Sequence, residues 1–168
     1  PVPRHWAGDP VLTRIADSLS LLFPAGEQFF IQSVQAFRSE ITDDELRQDV
    51  KDFAYQEAQH SNVHAAYNQM LEDQGLGVAW VDRSLKRRLA IARKFFSPVQ
   101  RLALTAAAEH LTATMAEVLL TDGTLHELFG DDAVRDLFLW HALEESEHKA
   151  VAFDVYKAIG GGERMRVW

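Results

Sequence analysis

The sequence predicts an all-α protein, a bundle of four long helices with additional helices around it, and three observations predict it. Apolar residues recur at helical spacing almost throughout, and no stretch alternates in the way that marks a strand. Helix start and stop residues divide the chain into long segments. Two copies of one motif, Glu57-Ala-Gln-His60 and Glu145-Ser-Glu-His148, lie deep inside two of those segments. Residues three apart share a helix face, so each carboxylate and its imidazole can reach a common point.

The first helix is expected from about Pro10 to Phe23, after the start signal Gly8-Asp9-Pro10. Pro24 and Gly26 then break or kink it, and a second segment runs to about Ser39. Thr42-Asp-Asp-Glu45 reads as a capping box for a long helix closed by Gly75-Leu-Gly77. A shorter basic helix is expected from Ser84 to about Phe96. Ser97-Pro98 starts another, ending near Asp122-Gly123. Asp131-Asp132 caps the last long helix, which stops at Gly160-Gly-Gly162.

With 168 residues and 47% apolar content, the chain is expected to form one domain, 1–168, with a single sizeable core. It begins at Pro1 and stops in the amphipathic Glu163-Arg-Met-Arg-Val-Trp168, so it reads as part of a longer protein truncated at its C-terminus. A net charge of −8 argues against nucleic acid as the main partner. No Cys is present, which excludes disulfides, thiolate nucleophiles and iron–sulfur clusters. No signal peptide is visible, and the most apolar stretch, Arg101 to Leu120, is interrupted by Glu109, His110 and Glu117. A cytoplasmic location is therefore expected. The basic stretch Arg83 to Lys94, followed by Phe95-Phe96, reads as a solvated helix face, with peripheral contact of 83–96 at an anionic membrane as the other reading. An oligomer is compatible with the sequence.

Position gives the two motifs their weight. One Glu-x-x-His arises easily by chance, and exposed Glu/His pairs are common on helices. Here Phe53, Ala54, Val63, Phe138, Leu139, Ala142, Val151 and Ala152 surround the motifs and turn their faces inward. Buried charged groups need partners or a metal. Glu57, Glu109 and Glu145 lie about 13, 11 and 14 residues into their helices, which places all three near mid-bundle at 1.5 Å per residue. Glu27 follows the Pro24–Gly26 break, so it sits either in a kinked continuous helix or in a first turn. Two Glu-x-x-His helices plus one inward Glu from each of two others make the di-iron or di-manganese site of ferritin-like four-helix bundles. The fold expected is therefore the ferritin-like one, with Glu27, Glu57, His60, Glu109, Glu145 and His148 as metal ligands. His141 shares a stripe with Glu145 and His148, and His64 mirrors it one turn beyond His60. Both are candidate ligands. If one alone binds, His141 is expected, with His64 hydrogen-bonded to a ligating carboxylate. Glu144 reads as an outer acceptor or a bridging alternative, Glu147 as solvated, and His110 as a surface or hydrogen-bonded core group.

Several segments carry a family resemblance. Pro3-Arg-His-Trp6, Phe23-Pro-Ala-Gly-Glu-Gln-Phe-Phe30, Gln56-Glu-Ala-Gln-His60 with His64, and Trp140 to Tyr156 resemble the bacterial "predicted metal-dependent hydrolase" family of ferritin-like proteins. The ligand order also resembles that of di-iron arylamine N-oxygenases: Glu27, then Glu57 with His60, then Glu109, then His141 with Glu145 and His148. The first resemblance implies metal-dependent hydrolysis and the second implies oxidation by a di-iron centre. His64 has no place in the N-oxygenase pattern.

Carboxylates and imidazoles suit two iron ions, or manganese. Such a pair either reduces dioxygen and oxidises a substrate, or polarises a phosphoryl or acyl oxygen and activates water. Small residues around Glu109 (Thr105, Ala106, Thr112, Ala113, Ala116) leave room for dioxygen or substrate, or else allow close helix packing. Phe23, Phe29, Phe30, Phe53 and Phe138 make the surroundings apolar, and no Lys or Arg lies on the ligand faces. The expectation is a dinuclear enzyme oxidising or oxygenating a small apolar molecule. Metal-dependent hydrolysis is the alternative, and a ferroxidase or metal-binding protein is the third reading.

Overall fold

The computed structural model describes residues 2–162. They form seven helices and, among the described residues, no strand: α1 (Pro10–Gln35), α2 (Asp44–Asp73), α3 (Ala79–Phe95), α4 (Pro98–Thr121), α5 (Gly123–His126), α6 (Asp132–His148) and α7 (Val151–Ala158). The protein is an all-α helical bundle. Helices α1, α2, α4 and the α6–α7 pair pack against one another, and α3 lies outside against α1. The C-terminal Glu163–Trp168 segment falls outside the described residues.

Local chemistry explains most boundaries. Asp9 caps α1, its carboxylate accepting from the amides of Val11 and Leu12 at 2.8 and 2.9 Å, with Pro10 in the first turn. Ser97 and Gln100 form a reciprocal capping box on α4. Asp131 caps α6 through the amides of Ala133 and Val134.

Four expectations are corrected. Pro24 does not end the first helix; α1 runs unbroken through it, and Glu27 sits deep inside the helix. Proline cannot supply the N–H that would normally bond the carbonyl four residues back. That carbonyl, on Ser20, takes the side-chain amide of Asn68 at 2.9 Å instead. The cap of α2 is Asp43, which accepts from Leu46 N at 2.9 Å, and not Thr42. Helix α3 starts at Ala79, five residues before Ser84. The last long helix is interrupted at Lys149–Ala150, directly after His148.

The apolar core is divided. One cluster joins Val34, Phe37, Ile41, Val50, Phe53, Leu102, Val151, Ala152, Val155 and Tyr156. The other joins Trp6, Leu21, Tyr67, Leu71, Val134 and Phe138. Each long helix contributes to both ends, directly or through partly buried neighbours such as Leu119 of α4. Between the clusters, every helix of the bundle carries polar residues inward at the same level: Glu27, Glu57, His60, His64, Glu109, His141, Glu145 and His148, all buried.

Helix α3 buries none of its residues. It is held by Arg93, whose Nε donates to Gln32 Oε1 at 3.0 Å and whose guanidinium lies 5.4 Å from the Phe29 ring centroid. Trp80, Ile91 and Phe95 are 64%, 51% and 69% exposed beside exposed Arg83, Arg87, Arg88 and Lys94. Among the described residues, no helix is long and apolar enough to cross a membrane.

A polar knot anchors the N-terminal segment. The buried Asp17 carboxylate accepts from the Tyr67 hydroxyl at 2.6 Å and from Trp6 Nε1 at 3.2 Å, and pairs with Arg14 at 3.0 Å. Asp17→Ala strands two buried donors and should cost about 3–5 kcal/mol. The check is the urea midpoint; a loss below ~1 kcal/mol, the net worth of one ordinary hydrogen bond, would mean that the knot is replaceable.

Candidate metal centre

The site is built from four helices. Helix α1 supplies Glu27, α2 supplies Glu57, His60 and His64, α4 supplies Glu109, and α6 supplies His141, Glu144, Glu145 and His148. Helical spacing sets which of them meet. Glu57 and His60 lie one turn apart, with Oε1 and Nδ1 separated by 3.8 Å. His148 Nε2 lies 3.2 Å from Glu57 Oε1 across the bundle, and its Nδ1 lies 3.4 Å from Glu109 Oε2. His141 Nε2 lies 3.0 Å from Glu145 Oε1 and 3.8 Å from Glu27 Oε1. The His60 and His141 rings stack at 4.1 Å.

Two groups of ligand atoms converge tightly enough to hold an ion. Glu57, His60, Glu145 and His148 form one, and Glu27, His60 and His141 the other, with the ligand atoms of each within 4.8 Å of one another. Glu27 Oε1, both oxygens of Glu57 and Glu109, and both ring nitrogens of His60 and His148 are buried and make no well-formed hydrogen bond, their nearest polar neighbours being one another and Glu144. So many stranded polar atoms at one level would be costly in an ordinary core. A cation among them satisfies carboxylate oxygens and imidazole lone pairs together, so the residues fit a metal. The donor set, all oxygen and imidazole nitrogen, fits iron or manganese and lacks the thiolates of softer sites.

Electrostatics follow from the crowding. Burial, then the charge of Glu57, pushes the Glu27 carboxyl up to about 10. Burial, then Glu145, pushes Glu57 up to about 8. Burial, then Glu57, holds Glu109 well above the ordinary carboxyl range. Burial depresses His60 and His141, and burial with the neighbouring His141 depresses His64 to about 2. Without metal, the carboxyls of Glu27, Glu57 and Glu109 keep protons that a bound cation would displace.

Outer groups hold the inner ones. Ser61 donates to Glu27 Oε2 at 2.9 Å. Thr112 Oγ1 lies 2.9 Å from Glu145 Oε2. Trp140 Nε1 donates to Glu144 Oε1 at 3.0 Å, turning Oε2 toward His60 Nε2, also 3.0 Å away. Glu147 points outward and accepts from Gln56 at 3.1 Å, and His110 is exposed.

A cavity of about 360 Å³ meets the cluster from one side. His141, Glu145 and Thr112 form its inner end, and its other walls are apolar: Trp6, Leu19, Phe23, Ala116, Phe129 and Phe138 are among them. Leu12, Ile15, Met115 and Leu128 line it and are also exposed, so its mouth opens beside α1 and α4.

The family model described as "Predicted metal-dependent hydrolase" matches residues 1–168. The chain belongs to that family. No curated protein and no solved structure matches the chain. Membership gives the metal dependence a second, independent footing beside the stranded ligand atoms, while the metal's identity and the reaction are not part of it.

Set against the sequence, the structure brings all eight candidate residues of this family member into one buried layer. Six of them fall in the two convergent groups, and Glu109 reaches the first through His148, 3.4 Å away. His64 stands behind them: its Nε2 is 2.6 Å from His141 Nδ1 and its Nδ1 is 2.9 Å from Ser20 Oγ. Its partner is thus another histidine, where a carboxylate was expected. Of the small residues near Glu109, Thr112 and Ala116 line the cavity, while Ala106 packs against the solid apolar cluster. Sequence reasoning missed Ser20, Ser61 and Asn68. Their only signal was spacing: Ser20 is four residues before Pro24, and Asn68 is four after His64.

Proposed function

We propose that the protein is a ferritin-like dinuclear non-haem iron enzyme, with manganese as the alternative metal, that oxidises or oxygenates a small apolar organic substrate with dioxygen. The cavity is the observation that carries this reading. It ends on His141 and Glu145 and, among the described residues, has no Lys or Arg in its wall. When bound, a redox-active pair of ions held by Glu27, Glu57, His60, Glu109, His141, Glu145 and His148 would pass electrons to dioxygen and draw them from the substrate.

The chain's own residues would do the rest. The apolar wall excludes water and takes up a hydrocarbon or aryl body. Its volume is more than twice that of the ~150 Å³ cavities that accept benzene. Thr112 and Ser61 orient the carboxylates of Glu145 and Glu27 through Oε2 of each. Phe23 lies with its ring centroid 4.4 Å from that of His141, so substrate reaches the cluster past an aromatic edge.

The family's description names a hydrolase. Hydrolysis of a charged phosphoester calls for cations beside the reacting oxygens, which this wall lacks. Hydrolysis of an uncharged ester is the form of that reading compatible with the cavity. The two readings separate in one experiment. Anaerobic Fe(II)-loaded protein mixed with oxygen should give a transient visible absorption. Protein that shows none, yet turns over phosphoesters or acyl esters with Mn(II) or Zn(II), would be a hydrolase.

A further inference from the structure

Helix α3 has two apolar sides, and the body of the protein covers one of them. Val81, Leu85, Leu89 and Ala92 share its inner side and are half-buried. Arg93, beside them, bonds Gln32 and covers the Phe29 ring, which fixes the helix against α1. The opposite side carries Trp80, Ile91 and Phe95, all more than half exposed. At 3.6 residues per turn these three fall on one stripe. The stripe includes Trp80 because α3 begins at Ala79. Large apolar residues exposed singly are ordinary on a protein surface, but several on one stripe mark a contact surface.

Charge says what that surface meets. Helix α3 holds six basic residues and one acid, Asp82, a net charge of +5 in a chain of −8. Arg83, Arg87 and Lys94 edge the apolar stripe on one side and Arg88 on the other, and all four are exposed. Asp82 is already paired, with Lys86 at 2.8 Å. Aromatic and aliphatic residues edged by Lys and Arg suit the headgroup layer of an anionic bilayer. The rings and Ile91 enter the acyl boundary while the long basic side chains reach the phosphates. Nucleic acid would meet the same cations but gain little from Ile91, and the acidic remainder of the chain would repel a long polyanion. A second copy docking through this face would set one basic surface against an identical one.

We infer that α3 docks the protein on an anionic membrane surface, with Trp80, Ile91 and Phe95 in the headgroup layer and the flanking cations on the lipid phosphates. The contact is peripheral, with the helix lying in the plane of the interface. It stands apart from the metal centre and from the reaction.

The test is sedimentation of the protein with vesicles. It should pellet with equimolar phosphatidylcholine–phosphatidylglycerol vesicles and stay in solution with phosphatidylcholine alone. Raising the salt from about 0.1 to about 1 M, which shortens the screening length from about 10 to about 3 Å, should release most of it. Arg87→Gln and Lys94→Gln should each weaken binding roughly fivefold, the effect of about one cation at an anionic surface. Trp80→Ala and Phe95→Ala should each weaken it about tenfold, the low end for burying a large apolar side chain. All four side chains are exposed, so the variants keep the fold. Lys51→Gln, at an exposed cation of α2, should change nothing. Protein that does not pellet with anionic vesicles overturns the proposal. So does binding that survives both Trp80→Ala and Arg87→Gln. Equal binding to neutral vesicles also overturns it and places the contact on the uncharged apolar residues around the cavity mouth. Tighter binding to single-stranded RNA than to vesicles, or a dimer that these substitutions dissolve, overturns it as well and assigns the face to nucleic acid or to a second copy.

Discussion

Alanine at Glu57 or at His148 should strip the protein of metal and leave its helices standing. The two side chains meet at 3.2 Å in the centre of the buried layer, and both belong to the same convergent ligand group. All four of their polar atoms are buried, and none makes a well-formed hydrogen bond. The contacts that either substitution breaks are those among the polar groups of the layer itself, His148 with Glu57 and Glu109 and Glu57 with His60. The helices are held elsewhere, by the two apolar clusters above and below the layer. Metal per chain should fall to background in both variants while far-UV circular dichroism stays at the wild-type level. Anomalous scattering at the iron, manganese and zinc edges identifies the wild-type metal in the same series. Full metal content in both variants would mean that the buried layer is not the metal site.

The metal-free protein should lose stability as the pH rises from 7 to 9, and the loaded protein should not. Above pH 7 the depressed histidines are neutral in both the folded and the unfolded chain. The unfolded carboxyls, with an ordinary value of 4.5, have given up their protons. The folded chain still holds one on Glu27, to about pH 10, and one on Glu57, to about pH 8. The folded state thus binds more protons, and its stability falls with rising pH by up to ~1.4 kcal/mol per pH unit for each protonated carboxyl. Below about pH 6.5 the unfolded histidines begin to take up protons that buried His60, His64 and His141 refuse, and this progressively offsets the carboxyl contribution. Metal-free stability should therefore be greatest on the acid side of neutrality. A bound cation replaces the carboxyl protons and removes the alkaline fall. Urea midpoints with and without chelator at pH 7, 8 and 9 read this directly, and Glu27→Gln should flatten the metal-free slope. Equal midpoints across that range in metal-free wild type would show that the carboxyls are already ionised.

The ligand layer was legible because helical geometry is local. Three-residue spacing puts Glu57 beside His60 and Glu145 beside His148 whatever the tertiary structure. The level of Glu109 followed from its distance to the Ser97 cap. What was not legible depended on contacts between helices. Pro24 looks like a break from its own segment, and only Asn68, on another helix, supplies the donor that keeps α1 continuous. The role of His64 turned on Ser20, 44 residues away. The cavity was foreshadowed by Ala116 and Thr112, but its far wall comes from Trp6 and Phe129, which stack at 5.2 Å and are 123 positions apart in the chain. No pattern along the chain announces such a pairing. The interruption at Lys149–Ala150 has neither Gly nor Pro to signal it.

The division of the apolar interior has an evolutionary meaning. The cluster around Phe53, Leu102 and Val155 lends no residue to the cavity wall, whereas Trp6 and Phe138, from the other cluster, form part of it. A substitution in the first must preserve volume to keep the bundle standing. A substitution at Phe129 or Leu128 changes the shape of an existing hollow, whereas Trp6 and Tyr67 of the second cluster are also tied to Asp17. Selection can thus reshape what enters the protein without renegotiating how it folds. Lineages sharing this layer would be expected to diverge fastest at the cavity mouth, around Leu12, Ile15, Met115 and Leu128, and slowest at the Phe53–Val155 end.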